Sequence, residues 1–182
     1  MEYFDFLKYQ DKHSSKDKQE MIIKYTLLYH QYMLDLPMKV AMMECLSGVN
    51  RFERSQPQYL QYATTNIRVG DVCYIDYGQA YTYEAGFQHF GIVLSIVQNK
   101  VFVVPMTSNK QTYIKADPSC DFPQSHVFQL GVIQGLSKPS VCFLNDAKFI
   151  NRARIINVRG HINPQEMLFK KLRKKVFETI FQ

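Results

Sequence analysis

Tryptophan is absent from this chain and cysteine is scarce. The four cysteines, Cys45, Cys73, Cys120 and Cys142, form no CxxC pair and stand near no histidine at ligand spacing. No zinc site is expected from such a pattern. Reduced, half-buried thiols in a cytoplasmic protein are the expectation instead. No apolar run approaches the roughly 20 residues that a membrane-spanning helix needs. Residues 1–9 mix acids with aromatics, so no signal peptide is expected there. Also missing are GxxxxGK[ST], GxGxxG, HExxH and GxSxG. Their absence removes the common nucleotide-hydrolysing, dinucleotide-dependent, zinc-protease and lipase readings. The chain has no internal repeat and no low-complexity tract.

What is present suits a folded domain. Of 182 residues, 46% are hydrophobic, enough for a real core. Phe and Tyr supply all of the 14% aromatic content, which favours strands and stacking surfaces. The formal net charge of +6 is unevenly spread. Residues 148–175 hold nine basic side chains and one acid, Glu166, so the remainder is slightly acidic. A basic excess confined to one segment suits an anionic partner such as RNA or DNA. A solvated face of a Lys-rich helix gives the same count.

The texture of the chain changes twice. Ser14, with Asp17 three residues on, is an N-cap signal. Ile22, Tyr25, Leu28, Tyr32 and Leu36 then recur at helical spacing. Pro37 interrupts the pattern, and residues 38–46 predict a short second helix ending near Gly48. Its Met38, Met42 and Met43 read as adaptable core. Residues 50–66 are polar and read as a linker, which makes 1–66 a helical extension and 67–182 a second domain. From Gly70 onward short apolar runs predict strands at 72–75, 92–97, 101–104, 125–132 and 140–144, with Asn99-Lys100 as a hairpin turn. Short strands joined by short turns predict an α+β, mainly β fold: a small antiparallel barrel over about 67–156. A helix over 164–181 closes it. Asn163 is its expected N-cap, Pro164 its N1 and Glu166 its N3. Leu168, Leu172, Val176 and Ile180 form its apolar stripe.

Four pieces stand in order within the second domain. Gly70-Asp71 opens an apolar strand ending at Asp76. Glu84 and Gln88-His89-Phe90 follow across a tyrosine-rich loop holding Tyr77, Tyr81 and Tyr83. Val103-Val104-Pro105-Met106-Thr107-Ser108 ends a strand in two hydroxyls. Ser140-Val141-Cys142-Phe143-Leu144-Asn145-Asp146-Ala147-Lys148 leads to Arg152 and Arg154. This succession resembles the PemK/MazF toxin family from Gly70 to the C-terminus. The family shows a GD-apolar strand, a GxE…RP loop, a strand ending in Thr-Ser, a late SVVLLEQIRTID-type stretch and an Arg before the last strand. Residues 1–66 lie outside the resemblance.

The resemblance implies an SH3-like barrel and a toxin of a type II toxin–antitoxin system, with a cognate antitoxin as partner and a two-fold homodimer. It implies cleavage of single-stranded RNA by 2′-hydroxyl attack, without metal or cofactor. Thr107 and Ser108 match the family's Thr-Ser, Glu84 matches the loop acid, and Lys148 stands where the family has Arg. His89 stands where the catalytic Arg would be, Phe90 replaces its Pro, and Asn145 replaces an acid. An Arg hardly deprotonates, whereas a His can act as base or acid near neutrality. The expected catalytic set is therefore His89, Thr107 and Ser108. Lys148 or Lys110 would offset developing charge. Tyr83, Glu84, Gln88, Lys110, Lys148, Arg152 and Arg154 are the expected RNA-binding set, with tyrosine rings able to stack on unpaired bases.

Other readings stay open on the residues alone. His89 can be a structural histidine at a strand start, and Thr107-Ser108 can be turn residues. His13 and His30 read as surface or packing residues of the helical segment. His126 sits in a polar loop that could approach the site, and His161 serves local structure. A barrel that binds nucleic acid without cleaving it fits the exchange of Arg for His89. Gly70-Asp71 followed by His89-Phe90-Gly91-Ile92 also looks like the permuted NlpC/LRAT thiol-hydrolase pattern, with Cys120 or Cys142 as the later cysteine. Neither cysteine opens an expected helix that would lower its pKa. The N-terminal extension can cap the barrel, mediate a dimer or mimic an antitoxin helix.

Overall fold

A computed structural model describes residues 4–12, 14–56 and 66–181. His13 and residues 57–65 of the expected linker lie outside the described residues. The chain divides into two compact units, Met1–Met43 and Glu44–Gln182.

The first unit is helical. It holds α1 (Phe4–Leu7), α2 (Ser15–Asp35) and the start of α3 (Met38–Arg54). Ser14 Oγ accepts from the Asp17 amide at 3.1 Å, filling one orphan donor of the first turn of α2. Leu36, before Pro37, is extended at φ −76° and ψ 144°, as a following proline requires, and α2 stops there. No residue of α2 is buried. Tyr9 is buried, donates to Glu20 at 2.7 Å and accepts from Lys24 at 3.0 Å.

Among the described residues, the second unit is built on seven antiparallel strands. They are β1 (Asp71–Asp76), β2 (Gln88–Val97), β3 (Lys100–Thr107), β4 (Val127–Gly131), β5 (Ser140–Phe143), β6 (Lys148–Asn151) and β7 (Ile155–His161). The sheet order is β4-β5-β3-β2-β1-β7, with β6 also paired to β3. The long β3 serves two partners: Val101 faces Ile150 of β6, and Met106 faces Cys142 of β5. Alternation along β3 sends Val101 and Val103 to one face, and Val104 and Met106 to the other. On the first face, Cys73, Ile75, Val93, Ile150 and Ile155 join Val101 and Val103, so strands β7-β1-β2-β3-β6 share one interior. A 3-10 turn over Arg152–Arg154 carries the chain from β6 to β7, capped by Asn151. On the other face, Val72, Ile92, Val104 and Met106 pack with Phe169, Leu172 and Val176 of α5 (Met167–Ile180). The Leu172 side chain is fully buried there, and its truncation to Ala would cost about 2–5 kcal/mol. A short α4 (Lys110–Lys115) follows β3, capped by Asn109.

Several expectations need correction. Helix α3 does not end near Gly48 but runs to Arg54, into the stretch read as linker. Its later turns are held by tertiary bonds: Arg54 donates to the Ala153 and Ile155 carbonyls at 3.2 and 2.8 Å. Met38 and Met42 are exposed rather than core, and the buried residues of α3 are polar, Glu44 and Ser47. The sheet continues past residue 156, since β7 runs to His161 against β1. Helix α5 begins at Met167. Asn163 to Glu166 form a turn before it, with Asn163 Oδ1 accepting from Gln165. Ile180 ends the expected stripe exposed, and Phe169 replaces Leu168 among its buried positions.

Candidate functional site

Strands β2 and β3 end side by side. Phe90 pairs with Met106, so His89 and Thr107 are each the next residue outward on adjacent strands. Beyond Met106, Thr107 and Ser108 line a pocket of about 270 Å³. Thr107 Oγ1 accepts from the Asn109 amide at 3.2 Å, which fixes its hydroxyl at the turn into α4. The same pocket is lined by Ser137 and Lys138 from the loop before β5, Ser140 at the start of β5, and Arg159 from β7. Phe90, Met106 and Leu136 supply its apolar lining.

A backbone contact makes this pocket. Gly135 has φ +93°, and a Cβ there would lie 2.0 Å from the Arg159 carbonyl oxygen. A Cβ on Gly160 would lie 2.6 Å from the Gln134 carbonyl. Only two glycines let the loop lie directly on β7. That approach puts Lys138 and Arg159 on the walls of one pocket. Sequence reading missed both residues. Arg159 was visible only as one charge in the basic segment, and Lys138 carried no signal at all.

His89 does not line the pocket. Its Nδ1 lies 2.6 Å from the Gly86 carbonyl oxygen. A carbonyl only accepts, so Nδ1 carries a proton and Nε2 is the ring nitrogen left to accept one. That tautomer is the one a general base at Nε2 needs.

The other expected residues are spread over neighbouring elements. Gln88 pairs with Asp76 at the start of β2 and donates to Ser47 of α3 at 2.9 Å. Tyr77 is buried in the barrel interior, while Tyr81 and Tyr83 are 87% and 99% exposed. Tyr83 also has φ 72°, and Glu84 beside it is exposed. Lys110 is exposed at the start of α4. Lys148 is committed to Asp146, at 2.6 Å, and sits 5.9 Å from the Tyr77 ring centre. Asp146 in turn accepts from the Ala85 amide at 2.6 Å, holding the tyrosine loop. Arg154 donates to the Asp76 and Tyr77 carbonyls at 3.2 and 2.7 Å. Arg152 belongs to the same 3-10 turn. Thus Thr107 and Ser108 meet in the pocket, and the remaining expected residues do not line it.

The remaining histidines and cysteines fall elsewhere. His30 is exposed on α2. The His126 carbonyl accepts from Leu144, and His161 pairs with buried Asp71 at 2.7 Å. Cys142 is fully buried, and burial pushes its thiol well above the ordinary value. A thiol hydrolase would have no usable nucleophile there. Cys120 does not line the pocket.

No protein-family model matches the chain, and no curated protein matches it. Solved structures do resemble it. One is MazF from Deinococcus radiodurans, at 14% identity and TM-score 0.48, covering 64% of this chain and 97% of that one. Another is the Mycobacterium tuberculosis toxin MazF-mt6, at 13% identity and TM-score 0.40, covering 59% and 96%. A third is a MazE–MazF structure from Deinococcus radiodurans, at 14% identity and TM-score 0.41, covering 63% and 95%. The site residues therefore stand on the geometry of this chain. Among the described residues, no helix is long and apolar enough to cross a membrane.

Proposed function

We propose that this chain is an endoribonuclease of the PemK/MazF toxin type, cleaving single-stranded RNA without metal. The observation that carries the reading is the hydroxyl pair Thr107-Ser108, which opens from the end of β3 into a pocket bearing two cations. Nε2 of His89 takes the proton of a ribose 2′-hydroxyl, and that oxygen attacks the adjacent phosphorus. The bond from phosphorus to the 5′-oxygen breaks, and a proton completes the leaving hydroxyl. The products are a 2′,3′-cyclic phosphate and a 5′-hydroxyl. Thr107 and Ser108 orient the phosphate, and positive charge offsets its developing negative charge. A cognate antitoxin and a two-fold dimer, with RNA crossing its interface, belong to the same proposal.

The test is incubation of the purified protein, freed of any partner, with labelled single-stranded RNA and a chelator. Cleavage leaving a cyclic phosphate is expected. A second reading, a barrel that binds nucleic acid without cutting it, is favoured by His89 standing outside the pocket. Binding without cleavage in the same assay would select it.

A further inference from the structure

We propose that the pocket beneath the 132–139 loop is the phosphate-binding site of this protein, with Arg159 and Lys138 gripping one RNA phosphate. The inference rests on the ribonuclease reading for its ligand and names the residues that supply charge the sequence placed elsewhere.

Two cations share the pocket, and among the described residues no carboxylate lines it. Among the described residues neither cation forms an ion pair, whereas Lys148 pairs with Asp146 at 2.6 Å. An anion in the pocket therefore meets two positive side chains and none of the repulsion a lining carboxylate would add. Arg159 is oriented as well as charged. Its Nε donates to Asn157 Oδ1 at 3.0 Å, leaving the Nη groups without a partner among the described residues. A guanidinium presenting its far edge suits two oxygens of one phosphate. The hydroxyls of Thr107, Ser108 and Ser137 add neutral donors around the same space.

Size narrows the ligand. The pocket holds about 270 Å³, below the roughly 300–1,000 Å³ of sites that enclose a whole small molecule. One phosphate with part of its sugar fits, and the rest of the strand stays outside. The Gly135–Arg159 and Gly160–Gln134 approaches lay the loop backbone directly against β7. Charge at position 89 is then not needed to hold the phosphate, which leaves His89 to act as a base.

Binding of an all-deoxy single-stranded oligonucleotide, which lacks the attacking hydroxyl, tests this by fluorescence anisotropy at several salt concentrations. Arg159→Gln and Lys138→Gln are each expected to weaken binding by about 5-fold or more, and together to lower the salt slope by about 0.7, the share of one phosphate on a single strand. Both positions are exposed, so the variants should keep the parent melting temperature. The double change Lys174→Gln and Lys175→Gln on α5 serves as control and should have a smaller effect. If the parent cleaves RNA while Arg159→Gln binds with parent affinity and slope, the pocket proposal falls and the ribonuclease reading stands. If the parent binds through Arg159 but cleaves no RNA, the pocket stands and the ribonuclease reading falls. If a glutamate-rich peptide binds through Arg159 and the oligonucleotide does not bind, the site serves an acidic protein and the proposal is overturned.

Discussion

Ser47 of α3 donates to Asp76 at the end of β1 across 2.7 Å, tying a helix to the barrel through a buried carboxylate. Asn50 donates to the other oxygen at 2.8 Å, and the Gly78 amide to the first at 3.0 Å. Burial pushes the Asp76 carboxyl up. The bonds from Ser47, Asn50, Gly78 and Gln88 together outweigh it and hold the group below its usual value. A depressed folded pKa gives stability that is present above the unfolded value, about 3.9, and is lost as pH falls through the folded value. Asp76→Asn should cost about 1–3 kcal/mol at neutral pH, because an amide group then faces a donor. Urea melts should show that gap shrinking below about pH 4. A gap unchanged from pH 7 to pH 2 would remove the linkage.

Two glycines should respond in opposite directions to alanine. Gly48 lies within α3, and a Cβ there meets nothing within 4 Å. Gly48→Ala should therefore raise stability by about 0.5–1 kcal/mol. Gly135, at φ +93° and 2.0 Å from the Arg159 carbonyl, has no such room. Gly135→Ala should destabilise by about 1–3 kcal/mol and weaken oligonucleotide binding as the pocket shifts. Thermal melts check both signs.

Thiol reactivity should split the cysteines into two classes. Cys45 is exposed and Cys120 half-buried. Cys73 is buried, and burial with the nearby Asp71 pushes its thiol to about 12. Cys142 is buried with its thiol pushed up for the first of these reasons. Ellman's reagent on the native protein should therefore label Cys45 and Cys120, and reach Cys73 and Cys142 only in denaturant. Fast labelling of Cys142 in the folded state would reopen the thiol-hydrolase reading.

Replacing His89 tests the proposed base. His89→Ala should slow RNA cleavage by roughly a hundred- to ten-thousand-fold. His89→Arg restores the residue of the resembling family but cannot accept a proton near neutrality. It should lose the acidic limb of the pH–rate profile, whatever its rate. Parent-like cleavage by His89→Ala would make His89 structural.

Much of the fold was legible in the residues. The apolar runs at 72–75, 92–97 and 101–104 became β1, β2 and β3, because a strand buried on both faces needs a continuous apolar run. Ser14 capped α2 and Pro37 ended it, because capping and proline geometry act within a few residues. Thr107 and Ser108, picked out by the family resemblance, stand at the end of β3 and line a pocket. What chain neighbours do to one another was written locally.

Tertiary structure decided the rest. Nothing near Gly48 in sequence says that α3 continues to Arg54, because the bonds sustaining it come from Asp76 and from carbonyls at 153 and 155. Lys138 and Arg159 stand 21 residues apart in the chain and share a pocket only because Gly135 lets the loop touch β7. Residue types set which groups can carry charge or accept a proton. Whether a charge is neutralised, buried or offered to a ligand depends on long-range packing, which no local pattern encodes.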